Sequence, residues 1–344
     1  MNKFIANILN AVLFDNLVIV IHCLDDFCKH TVASNIFEVA SSIAKHHNLA
    51  RPQVLKRAGG YRYCIKLPLL EIIDWARPQN GVPHLFIQVA PYAENRPFIR
   101  LSFNGFPLKR EHFFIARLWL EHIVPDYELL ASDKMKVTAV DIAHDLAIAI
   151  IELGFNLAKS QVSFIAFAKD GGIGGYYLGK KRAGCQLTAY DRTANCKAKK
   201  LKTKGEDETR IEAKIIPNCM LNELSDLLSP CAYLNRIEVY DLNALKSLSH
   251  LHPHTIMVIS AYGLKPALQS LPKDERRKMK RLIEQCKLYP LNSEAVKVAV
   301  NKELWNVKGL MMEHSNKTSK QCKPYKLRVK FKELYGMLTE NVNK

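Results

Sequence analysis

Residues 209–215 read TRIEAKI, with charged and apolar side chains alternating one for one. A period of two fits a strand and no helix. It puts Arg210, Glu212 and Lys214 on one face and Ile211, Ala213 and Ile215 on the other. The apolar face needs a layer packed against it. The charged face is too costly to bury unpaired, so it lines a cleft or faces water. Two neighbouring stretches, KVTAVDIAHD (136–145) and CQLTAYDR (185–192), also read as strands.

Further strands are expected at 17–23, 61–67, 84–90, 97–103, 162–168 and 175–181. Helices are expected at 33–48, 110–124 and 147–157. Each half thus runs strand, helix, strands, with a Gly-Gly before a tyrosine-rich strand (GGYRY and GGYY). This suggests a structural duplication, although any α+β chain gives a similar alternation. Beyond about residue 218 the pattern turns helical, including PKDERRKMKRLIEQCKL (272–288), with one strand expected within LHPHTIMVIS (251–260). The expected architecture is α+β: antiparallel or mixed sheets from two similar halves, helices on their outer faces, and a helical C-terminal region. The expected boundaries are 1–133 (a DNA-binding α+β half), 134–219 (a catalytic α+β half) and 220–344 (a basic accessory region).

Fifty Lys and Arg oppose 33 Asp and Glu in the 344 residues, a formal net charge of +17. Such an excess favours a polyanion, either nucleic acid or an acidic membrane face. The basic residues cluster in loops around residues 180–204, which favours nucleic acid. None of the nine cysteines forms a C-x-x-C pair, so no zinc site or disulfide framework is indicated, and reduced thiols in a cytoplasmic protein are the simplest account. Polar residues break up the apolar N-terminus before it reaches the ~20 residues of a membrane span. No membrane role is expected.

The chemistry concentrates on three strands. Asp141 stands in mid-strand among apolar neighbours, and Asp145 just past the strand's end. An acid in that setting either ligates a divalent metal through hard oxygen or forms a structural ion pair, for example with Arg210. Tyr190 is followed by Arg192 and a loop carrying Lys197, Lys199, Lys200, Lys202 and Lys204. A phenol is weak at neutral pH, and cations or a metal would stabilise its phenolate and the charge growing on a phosphate. The same lysines, with Lys180, Lys181 and Arg182, suit a DNA backbone, as do Arg276, Arg277 and Lys280 on the basic helix. His84 and His144 read mainly as structural. His252-Pro253-His254 reads as a loop, because proline fits poorly inside a central strand.

Taken in order, VTAVDIAHD, LTAYDR and TRIEAK resemble the motifs of the tyrosine replication initiators of filamentous phages and small rolling-circle plasmids. Those families show an aspartate-bearing strand, a YxK-type strand and an RxE strand. GGYYLGKKRAG resembles the strand that precedes their active segment. The resemblance covers about residues 134–220 well and the N-terminal half loosely. It implies single-strand nicking and rejoining through a 5′-phosphotyrosine on Tyr190. Arg192, Arg210 and Lys214 would be the basic catalytic partners, and Asp141, Asp145 and Glu212 the ligands of Mg²⁺ or Mn²⁺. Arg192 departs from the usual lysine, and PFIRLSFNGF lacks a carboxylate sometimes found there. Implied partners are a double-stranded origin, a single strand, and a host helicase and polymerase, with the chain as monomer or homodimer in a bacterial cytoplasm. A conjugative relaxase and a non-catalytic origin-binding regulator are the alternatives.

Overall fold

The computed structural model describes residues 12–22, 25–46, 54–70, 82–104, 108–127, 130–131, 134–157, 163–167, 173–179, 185–198, 207–223, 237–247, 253–262, 264–288 and 293–311. The fold is α+β and divides into two compact units. One comprises Phe14–Val140, Pro217–Leu227 and Asn301–Lys344 in their described parts. The other comprises Asp141–Ile216 and Leu228–Val300, with the described end of Met1–Leu13. One boundary between the units falls at Val140/Asp141, and the described residues beyond 220 are shared between the two.

In the first unit the strands are β1 (Val12–Ile21), β2 (Val54–Ala58), β3 (Tyr61–Pro68), β4 (His84–Pro91), β5 (Ile99–Asn104) and β6 (Met135–Leu146), ordered β2-β3-β4-β5-β1-β6. A short β12 (Cys219–Met220) pairs antiparallel with the start of β6. Alternate residues of β1, β4 and β5 build one face: Leu17, Ile19, Leu85, Ile87, Val89, Leu101 and Phe103 are fully buried. Helix α1 (Asp26–His46) buries Val32, Ile36, Val39 and Ile43, a stripe at three- and four-residue spacing. Helix α2 (Arg110–Ile123) buries Phe113, Ala116, Leu120 and Ile123. Both lie on that same face, Phe37 meeting Tyr63 at 4.8 Å and Phe113 meeting Phe103 at 5.2 Å between ring centroids. The Asn35 amide donates to the His122 and Ile123 carbonyls at 3.3 and 3.0 Å, satisfying orphan acceptors at the end of α2.

In the second unit the order runs β6-β11-β10-β9-β8, with β8 (Ser163–Phe167), β9 (Ile173–Leu178), β10 (Cys185–Asp191) and β11 (Thr209–Ile215). A three-stranded sheet joins β7 (Leu153–Leu157), β13 (Ile237–Asp241) and β14 (Lys287–Leu288). Helix α3 (Arg192–Ala198) follows β10 directly. Helices α4 (Leu242–Lys246), α5 (Pro253–Tyr262), α6 (Leu264–Ser270) and α7 (Lys273–Gln285) bury Leu242, Leu245, Ile259, Leu264, Met279 and Ile283 in one cluster. Helix α8 (Ser293–Val307) carries the chain back into the first unit.

Two sequence expectations fail here. Residues 147–157 hold no α-helix: Ile150–Glu152 is a 3-10 turn and Leu153–Leu157 is β7. Their apolar run was too short to separate a helix from a buried strand by periodicity, and β7 packs so closely on Leu242 that a Cβ at Gly154 would stand only 3.1 Å from that side chain. Within 251–260 there is a helix from Pro253, not a strand. Proline at the first helical position suits a helix start, a better use of Pro253 than the strand reading.

His144 on β6 is 2% exposed, and neither ring nitrogen has a hydrogen-bond partner among the described residues. Burial pushes its pKa down to about 4, against a small opposing pull from Asp145. The unfolded chain therefore binds the proton more tightly. Stability is complete above the ordinary histidine pKa of about 6.5 and is lost as pH falls toward about 4, by about 2 kcal/mol at a pH of about 5. His144→Leu removes an unsatisfied imidazole and is expected to raise Tm at neutral pH. The gain should grow between pH 6.5 and 4 in thermal melts.

Candidate functional site

The site lies on one face of β10, β11 and β6 within the second unit. Antiparallel register sets Tyr190 opposite Arg210, Thr188 opposite Glu212 and Gln186 opposite Lys214. The alternation works as the sequence implies. Leu187, Ala189, Ile211, Ala213 and Ile215 are buried on the far face, leaving the polar set together on the near one.

Tyr190 donates its hydroxyl hydrogen to Glu212 Oε2 at 3.3 Å. The other oxygen of Glu212 faces Lys214 Nζ at 3.4 Å. The carboxylate is buried, whereas the Lys214 side chain is 48% exposed. A phenol and a solvent-reaching ammonium thus meet the two oxygens of one buried carboxylate. On the other side, Tyr190 pairs with Gly175 of β9. A Cβ at Gly175 would sit 3.0 Å from the Ala189 carbonyl oxygen and 3.6 Å from Tyr190 Cβ, so only glycine lets β9 approach the tyrosine this closely. By register Tyr177 lies beside Thr188 on the site face.

The two arginines brace the frame. Arg210 donates from Nε to Asp145 Oδ1 at 2.7 Å and from Nη2 to Oδ2 at 3.0 Å, a bidentate fork. Arg192 Nη1 donates to Asp145 Oδ2 and, at 3.0 Å, to Glu208 Oε2. Its backbone N–H also donates to the Glu208 carbonyl at 2.8 Å. The Asp191 side chain accepts from the Ala194 N–H at 2.8 Å and opens α3, so Arg192 begins a helix where the sequence suggested the end of a strand. Glu208 is a member of this frame that the sequence reading missed. It sits beside the lysine loop in GEDE, an acid among acids, with no periodic signal to single it out.

The acids expected to hold Mg²⁺ or Mn²⁺ each have protein partners here. Asp145 accepts from two guanidinium groups, and both oxygens of Glu212 face hydrogen-bond or charge partners. Asp141 is half-buried on β6 and makes an interaction of its own. Among the described residues no group of three His, Cys, Asp or Glu side chains is gathered to hold an ion. A hard cation held by Asp145 or Glu212 would compete with the arginine and lysine partners they have here.

The remaining expected DNA contacts divide. Lys180, Lys181, Arg182, Lys199, Lys200, Lys202 and Lys204 lie outside the described residues, as does His252. Lys197 is exposed at the end of α3. On α7, Arg277 and Lys280 are exposed, while Arg276 is turned inward and donates to the Gln269 and Leu271 carbonyls at 3.1 and 2.9 Å. His84 is buried on β4, its pKa pushed down to about 4 by burial and, secondarily, by Lys66, which agrees with the structural reading. Among the described residues no helix is long and apolar enough to cross a membrane.

No family model matches the chain, and no curated protein matches it. Among solved structures, the rolling circle replication initiator protein from Geobacillus stearothermophilus is similar over 80% of this chain and 97% of its own, at 12% identity and a TM-score of 0.32.

Proposed function

We propose that this chain starts rolling-circle replication of a phage or plasmid by nicking one DNA strand and later rejoining it through Tyr190. The observation that carries the reading is the Tyr190 hydroxyl donating to Glu212 beside Lys214. The order of the three strand motifs and the +17 charge support it.

In the forward step the Tyr190 oxygen attacks phosphorus as its proton passes to Glu212 Oε2. The bond from phosphorus to the 3′-oxygen breaks, leaving a 5′-phosphotyrosine and a strand whose 3′-oxygen takes up one proton. Glu212 acts as general base, and the ammonium of Lys214 faces the charge that develops on the phosphoryl oxygens. Arg210 and Arg192, already paired with Asp145, fix the strand that presents Tyr190. Rejoining is the same exchange in reverse, isoenergetic in phosphodiester bonds, so it needs no ATP. A host helicase and polymerase would use the free 3′ end. Mg²⁺ or Mn²⁺ belongs in the assay as a variable, and no step above passes through it.

The test uses supercoiled DNA carrying the element's own origin, with chelator and with Mg²⁺ or Mn²⁺. The expected result is a nicked circle and a covalent protein–DNA adduct. After nuclease digestion, mass spectrometry should place the nucleotide on the peptide containing Tyr190. Tight origin binding with no nick under any condition would leave the regulator reading in its place. An adduct on another residue would remove Tyr190 from the chemistry.

A further inference from the structure

The first unit carries a second face that the site does not use. Helices α1 and α2 both pack on the face of Tyr63 and Phe103. The opposite side chains of β3, β4 and β5 interlock by register: Lys66 opposite Phe86, Phe86 opposite Ser102, and Gln88 opposite Arg100. No Asp or Glu occupies any position of that face on these three strands, which supply Arg62, Lys66 and Arg100. The Lys66 ammonium lies 5.9 Å from the Phe86 ring centroid, and the Arg62 guanidinium lies 5.9 Å from that of Tyr92. Tyr92 is 55% exposed and Phe86 half-buried, with the shorter side chains of Cys64, His84 and Gln88 buried beneath the longer ones on the same face.

The end of this face is held in place. Arg96 donates to the Gly59 carbonyl at 3.1 Å, and Tyr92 N–H donates to the Gly60 carbonyl at 3.0 Å. Gly59 and Gly60 adopt positive φ of 62° and 85°. A Cβ at Gly60 would fall 1.9 Å from Arg96 Nη1, so the glycine turn leaves room for the arginine that ties the two hairpin ends together.

One exposed ring and one half-buried ring, each near a cation, on a strand face without a carboxylate offer what successive unpaired bases and their phosphates need. The rings stack with any base, and the cations track the backbone. A duplex hides its base faces and would leave the rings unused. We infer that the Arg62–Lys66–Phe86–Tyr92 face of the first unit binds single-stranded nucleic acid. The inference rests on the proposed function for the kind of polyanion at hand, a strand freed by the nick.

The experiment uses the full chain and a fluorescein-labelled oligothymidylate of about 20 nucleotides, long enough to span one such face. Phe86→Leu with Tyr92→Leu keeps apolar bulk and removes both rings. It is expected to raise Kd about tenfold. Arg62→Ala and Lys66→Ala should each make the slope of log Kd against log salt shallower by about 0.7. Ultraviolet crosslinking of the wild-type complex, read by peptide mass spectrometry, should mark Phe86 or Tyr92, a readout that does not depend on any variant folding. Crosslinks confined to other segments, with Kd and salt slope unmoved, would overturn the inference. So would equal competition by polyglutamate or by phosphatidylserine vesicles. The Tyr190 adduct is scored in the same preparations. Its absence with tight, ring-dependent oligonucleotide binding sinks the nicking reading alone. Its presence with binding indifferent to the variants sinks this inference alone.

Discussion

Tyr190→Phe abolishes the covalent adduct and lowers nicking by roughly 10⁶-fold, the scale on which an enzyme loses its nucleophile. The substitution removes one oxygen and keeps the ring that packs beside Gly175, so folding and origin binding should be intact. Glu212→Gln keeps the side chain's shape but cannot take the phenol's proton. Its single-turnover rate is expected to fall by about 10²- to 10⁴-fold, the usual worth of a positioned general base. The two together should cost little more than Tyr190→Phe alone, because a base has nothing to activate once the nucleophile is gone. An adduct formed at the wild-type rate by Tyr190→Phe would end the proposal. A fall for Glu212→Gln that disappears above the phenol's own pKa would support it, since hydroxide then does the work of the carboxylate.

The sequence announced this face more clearly than its wiring. Alternation in TRIEAKI placed Arg210, Glu212 and Lys214 together, and the register delivers them next to Tyr190, Thr188 and Gln186. Period-two patterns state which side a residue takes, so β4, β5, β6, β10 and β11 were all legible. They do not state which charge meets which. Arg210 had a carboxylate partner by expectation, but the sequence pointed at Asp141, and the fork closes on Asp145 four residues on. Both acids share a strand face, and only the stagger between neighbouring strands separates them. Register between strands distant in sequence is not written in either strand. Glu208 was invisible for the same reason, since its role exists only once the start of β11 lies against the start of α3. The 147–157 segment misled differently. Its apolar residues are dense enough to satisfy both periods, and the long-range pairing of β7 with β13 decides the outcome.

Asp145 should be the most destabilising single position in the second unit. Its side chain is 7% exposed and holds two guanidinium groups, one of them, on Arg210, itself buried. Burying charges is costly unless each is paired, and the pair is worth little against a matched apolar set. Removing one partner, however, leaves an uncompensated charge behind. Asp145→Ala is therefore expected to cost about 3–5 kcal/mol and to lower Tm by on the order of 10 °C. Asp145→Leu combined with Arg210→Met should recover much of that loss, and a double-mutant cycle in urea gives the coupling directly. The same melts separate a brace from a metal ligand. A ligand's loss would leave Tm unchanged in chelator and would remove any stabilisation that added Mn²⁺ confers on the wild type, since an ion bound only by the folded state raises its stability by mass action. A brace gives the full loss in chelator, with the response to Mn²⁺ the same in variant and wild type. Because Arg210 faces Tyr190 across the β10–β11 register, the brace also reaches the chemistry. At temperatures where Asp145→Asn is still folded, its adduct should form more slowly at unchanged oligonucleotide affinity, the signature of a nucleophile that is present but loosely held.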